Sequence, residues 1–171
     1  MNRITAFILM ILVSGAMITG CKKDDNPKLP DGMKKASLPL VKADAGSSTT
    51  IADPATFQGK FSVGLYFASD EPPRKMDVVV AMNKVYTKVK VLKADVNAYP
   101  TSLTVTAQQL ATLFGITVAD LKPGNVFEIS VDVYMNSGLT VPYFTTGGIR
   151  SYGPDATSYP GSSLKVTYTV E

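Results

Sequence analysis

The sequence predicts an all-β domain, a two-sheet sandwich of about seven strands with one short inserted helix. Three observations predict it. From Phe57 onward, apolar and polar residues alternate with a period of two, the spacing of strands half-buried on one core. Clusters of Gly, Pro, Asn and Ser punctuate these runs at short intervals. A single segment carries helix start and stop signals instead.

The chain opens with a basic residue, Arg3, and an apolar run over residues 4–18. That run is shorter than the roughly 20 residues a membrane span needs, and small residues end it, as in a secretory signal. Residues 1–20 are therefore expected to be a cleaved leader. Residues 21–55 are expected to form a tether, because mixed charge, Pro, Gly and Ser with little apolar periodicity cannot offset the entropy of backbone ordering. A flexible coil of that length would have an r.m.s. span of ~30 Å.

Residues 56–171 form the expected domain. Phe57, Gly59, Phe61, Val63, Leu65 and Phe67 alternate with Gln58, Lys60, Ser62, Gly64 and Tyr66. Residues 76–82, with Val78, Val79 and Val80 together, read as a more central strand. Val89 and Val91 alternate with lysines, and residues 103–106 add a short strand. Thr106-Ala107-Gln108-Gln109 has capping-box spacing, Leu110, Leu113 and Phe114 supply an apolar face, and Gly115 can end the helix. Phe127, Ile129, Val131, Val133 and Met135 alternate with Glu128, Ser130, Asp132 and Tyr134. Asn136-Ser137-Gly138 turns the chain into a strand over 139–145, and Leu164 to Val170 alternate in the last. This number of short strands fits an immunoglobulin-like sandwich, with a small barrel as the competing architecture.

Composition excludes several functions. The formal charge is +3, and no basic stripe of the kind nucleic acid requires is visible. There is no histidine, the commonest general base and metal ligand, and no tryptophan. Serines lack a histidine partner, G-x-S-x-G is absent, and no phosphate-cradling loop or metal-ligand cluster appears. No catalytic residue, metal or cofactor is expected, and an enzyme is disfavoured.

Two resemblances supply an address. Ile18-Thr19-Gly20-Cys21 resembles a bacterial lipobox, which implies a lipid on Cys21, the only cysteine. Lys22-Lys23-Asp24-Asp25 is similar to the lipoprotein export signal of Bacteroidota, which implies an outer-membrane protein facing the exterior. Met76-Asp77-Val78-Val79-Val80, residues 89–96, Tyr99-Pro100 through Thr106 with the capped helix, and Leu121-Lys122-Pro123-Gly124 resemble the immunoglobulin-like modules of lipoproteins beside Bacteroidota glycan-uptake systems. The N-terminal modules of SusE- and SusF-like proteins are of this kind. The likeness covers roughly residues 57–171 and implies a binding or accessory module.

The candidate ligand site is the aromatic stretch 142–161, with Tyr143, Phe144, Arg150, Tyr152 and Tyr159. Sugar rings stack their C–H faces on aromatic rings, and Arg can bond hydroxyls; loops at a sandwich end commonly carry recognition. The plainer alternative has Tyr143 or Phe144 plugging the core and the others as ordinary loop residues. Asp70-Glu71 reads as a solvated turn rather than a Ca²⁺ site. Glu128 and Asp132, ~13 Å apart on one strand, are too far apart for a glycosidase pair and read as an exposed charged sheet face. The expected partners are the membrane through Cys21, an extracellular glycan and an outer-membrane transport complex. The alternative is a structural or protein-interaction subunit that binds no glycan.

Overall fold

In a computed structural model, residues 34–147 and 151–171 are described. They form nine strands in two facing sheets. The smaller sheet has the order β1-β3-β6, with β1 Pro39–Ala43, β3 Gln58–Leu65 and β6 Thr101–Thr106, all antiparallel. The larger has the order β2-β9-β7-β4-β5, with β2 Thr50–Ile51, β4 Lys75–Met82, β5 Lys90–Val96, β7 Val126–Tyr134 and β9 Val166–Val170. The short β8, Thr140–Val141, pairs with the end of β7. The all-β sandwich expected from the alternation is the fold.

The expected tether is corrected over residues 34–55. The compact unit begins at Lys34, and β1 and β2 each lie in a sheet. Val41 and Ile51 are fully buried. The chain leaves one sheet after Ala43, turns at Gly46 (φ +78°) and joins the other at Thr50, where β2 runs parallel to β9. A sandwich corner of this kind uses short segments on each sheet, so period-two alternation has no length in which to register. Cys21 and the leader lie outside the described residues.

The core lies between the sheets. Phe61, Val63 and Val105 face Met76, Val78, Val80, Phe127, Ile129, Val131, Val133 and Tyr168. Each such side chain contributes roughly 1.5–3 kcal/mol on burial. Gly59 is required by one contact: a Cβ there would lie 2.6 Å from the Tyr168 ring. The inserted helix, α1 (Ala107–Leu113), is capped as expected. Gln109 N–H donates to Thr106 Oγ1 at 3.1 Å, and Thr106 N–H donates to Gln109 Oε1 at 2.9 Å. Leu110 and Ala111 enter the core, and Gly115 (φ +71°) ends the helix. A second short helix, α2 (Pro154–Ser158), sits in the long loop before β9.

Candidate ligand-binding surface

The aromatic stretch expected to form one platform divides into two groups. Tyr143 is buried, and its N–H donates to Asp132 Oδ1 at 2.8 Å. Phe144 stacks on Tyr86, with centroids 5.3 Å apart and planes at 14°. Tyr152 lies 6.2 Å from Tyr143, and its hydroxyl is buried with no hydrogen-bond partner among the described residues. Arg150 lies outside the described residues. Tyr159 is 47 % exposed and joins Tyr66 and Phe67, each 5.7 Å away.

The first group roofs the outer face of the larger sheet. Glu128, Ser130 and Asp132 share that face of β7, and the roof buries the first two and half-buries the third. The expectation of an exposed charged face at Glu128 and Asp132 is therefore corrected. Burial acts to raise the Glu128 pKa, but hydrogen bonds from Lys165 and from Tyr86 (2.9 Å) hold it below its ordinary value. Ser130 donates to the Leu164 carbonyl at 2.5 Å. Asp132 is shifted the other way. Burial raises its pKa, the Tyr143 N–H opposes, and Asp77, its cross-strand partner on β4, raises it further. Asp77 itself accepts from Asp95 N–H (2.9 Å) and Lys75 Nζ (3.2 Å).

Other acidic side chains also serve the fold. The Asp120 carboxylate accepts from Thr117 N–H at 2.9 Å and Thr117 Oγ1 at 2.7 Å, which closes the turn after α1. Glu71 accepts from Asn136 Nδ2 at 3.2 Å. Among the described residues, no group of three acidic, His or Cys side chains is placed to hold a metal ion.

The second group borders an open surface. On the outer face of the smaller sheet lies a cavity of about 510 Å³, lined by Leu40, Lys42, Ser62, Gly64, Tyr99 and Pro100 among others. Gly64 gives it a flat floor, since a Cβ there would rest 3.5 Å from Pro100. Register places Leu40 beside Gly64, and Lys42, Ser62 and Ser102 in one cross-strand row. The row supplies an ammonium and two hydroxyls, and Asp44 accepts from Ser102 at 2.5 Å. Leu65 and Ala68 line the cavity and flank Tyr66 and Phe67 in the chain, which carries the cavity wall toward the Tyr66–Phe67–Tyr159 cluster. Tyr66 N–H donates to Leu38 O, and its hydroxyl donates to Pro160 O at 2.8 Å, which fixes the loop carrying Tyr159 against this sheet.

Sequence reasoning found Tyr159 and missed the rest of this surface. The available signal was the short apolar run Leu38-Pro39-Leu40-Val41, which supplies one wall. The arrangement offers apolar ring faces, a flat floor and a polar row. The chain matches no protein-family model, no curated protein and no solved structure.

Proposed function

We propose that this protein is a non-catalytic outer-membrane lipoprotein, anchored through Cys21 and facing the exterior, whose sandwich binds extracellular glycan for a glycan- or nutrient-uptake system. The observation that carries the proposal is the open cavity on β1, β3 and β6, with Phe67 and Tyr159 exposed at its end. A sugar ring fits such a surface because its C–H faces pack on aromatic and Gly-floored ground while its hydroxyls reach Lys42, Ser62 and Ser102. The sequence supports the address through the lipobox-like Ile18-Thr19-Gly20-Cys21 and the Lys-Lys-Asp-Asp that follows. The strand order supports the immunoglobulin-like reading: β1-β3-β6 opposite β9-β7-β4-β5 is the order of strands A-B-E opposite G-F-C-C′.

Affinity electrophoresis of residues 34–171 through gels containing plant, host or microbial polysaccharides tests this reading. One polysaccharide is expected to retard the protein, and Tyr159→Ala is expected to abolish the retardation. A folded sample that no polysaccharide retards would overturn the glycan assignment in favour of a structural or protein-interaction subunit. For the anchor, Cys21→Ser is expected to leave the membrane fraction and keep its leader; unchanged partitioning and processing would refute lipidation.

A further inference from the structure

Four large apolar side chains are exposed among the described residues, and they fall into two pairs. Phe67 and Tyr159 belong to the surface above. Val85 (43 % exposed) and Val91 (50 % exposed) belong to another place, the β4–β5 hairpin at the edge of the larger sheet. Residues 83–93 there read Asn-Lys-Val-Tyr-Thr-Lys-Val-Lys-Val-Leu-Lys, with no acidic residue. Lys84, Lys88, Lys90 and Lys93 are all exposed. The ion pairs among the described residues use Lys75 and Lys165 and none of these four. Asp95 and Glu128, the acidic groups whose charges sense Lys93 and Lys84, are already engaged by Lys75 and Lys165.

We propose that this edge docks on the anionic headgroups of a lipid bilayer. Lysines alone have a simpler use, since charge on an edge strand prevents pairing with another sheet. Edge protection does not call for exposed valines between the lysines, whereas an interfacial segment does. Its apolar side chains enter the headgroup boundary while lysine stems lie along them and hold their ammonium groups at the phosphates. The charge favours an anionic surface, and the valines favour a bilayer over a soluble polyanion. Chain length favours it as well. Residues 22–33 separate Cys21 from the compact unit, and twelve residues reach at most ~40 Å when fully extended. This last point rests on the anchor reading; the charge and exposure do not.

Co-sedimentation of unlipidated residues 34–171 with phosphatidylcholine vesicles, with and without phosphatidylglycerol, tests the proposal. The unit holds the whole core described above, so it is suited to measurement alone. It is expected to sediment with the phosphatidylglycerol vesicles and to be released by added salt. Lys88→Glu/Lys90→Glu is expected to weaken this binding at least about tenfold without changing the unfolding temperature. Val85→Ser/Val91→Ser is expected to weaken it less. Sedimentation with both vesicle types alike, with neither, or undiminished in the charge-reversed protein would overturn the proposal. So would retention by an acidic polysaccharide without vesicle binding. Polysaccharide retardation through Tyr159 is expected to survive the charge reversal, so failure of the lipid reading and failure of the glycan reading are separable.

Discussion

On the outer face of the larger sheet, Glu128, Ser130 and Asp132 of β7 lie beneath Tyr143, Phe144 and Tyr152; on the outer face of the smaller sheet, Lys60 of β3 is exposed and Ser62 is half-buried beside the cavity. Both strands alternate polar and apolar residues along their length, yet their polar positions meet opposite fates. Under the roof, each polar group needs a partner, and Lys165, Tyr86, the Leu164 carbonyl and the Tyr143 amide supply them. On the open side, water can satisfy the same kinds of group, so Ser62 and Lys42 remain available to a ligand, while the Ser102 hydroxyl donates to Asp44. A polar stripe on a strand thus marks the face that is not the core. Whether that face is solvent, roof or site depends on where a distant loop returns.

The comparison is easiest to break at the ion pair under the roof. Lys165→Ala removes the charged partner of the Glu128 carboxylate, leaving the Tyr86 hydrogen bond, and is expected to cost about 3 kcal/mol in urea unfolding, the low end of the range for a broken buried pair. Adding Glu128→Gln should recover most of that loss. If Lys165→Ala costs no more than a surface substitution, the face is not effectively covered. Ser130→Ala is expected to cost about 1–2 kcal/mol by leaving the Leu164 carbonyl unpaired, while Ser62→Ala on the open face should stay within ~0.5 kcal/mol.

Acid should separate the two carboxylates of the covered face. The folded protein holds Glu128 below its ordinary pKa of 4.5, so its contribution is fully present above that value and fades as pH falls through the folded value. Asp132 has the opposite sign. Its folded pKa lies above the ordinary 3.8, so the ionised form is penalised at neutral pH, and the penalty disappears as pH falls through the raised value. Asp132→Asn keeps an acceptor for the Tyr143 N–H and is expected to be neutral or stabilising by up to ~1 kcal/mol at pH 7. That advantage should vanish in acid. Thermal unfolding of both Glu128→Gln and Asp132→Asn across this range checks the two signs together.

The alternation over residues 57–67, 127–135 and 164–170 and the apolar run over 76–82 are enough to read four strands of the core, and the Thr106–Gln109 box enough to read α1, because those signals are local. Residues 39–43 and 50–51 escaped, since each is a short half of an edge strand broken between sheets and surrounded by Lys, Gly and Ser. The candidate site was legible only in part. Aromatic composition pointed to 142–161, but nothing local distinguishes Tyr152, folded onto Asp132's face, from Tyr159, turned toward Tyr66. That distinction is made by partners far apart in the chain: Tyr66 with Pro160, and Tyr86 with Phe144.

Affinity electrophoresis of wild type, Phe144→Leu and Tyr159→Ala in one polysaccharide panel tests the division between roof and site most directly. The expected result is a retarding polysaccharide whose effect survives Phe144→Leu and is lost in Tyr159→Ala, with both variants folded. Retardation lost in Phe144→Leu and kept in Tyr159→Ala would contradict it and place the binding surface on the roofed sheet.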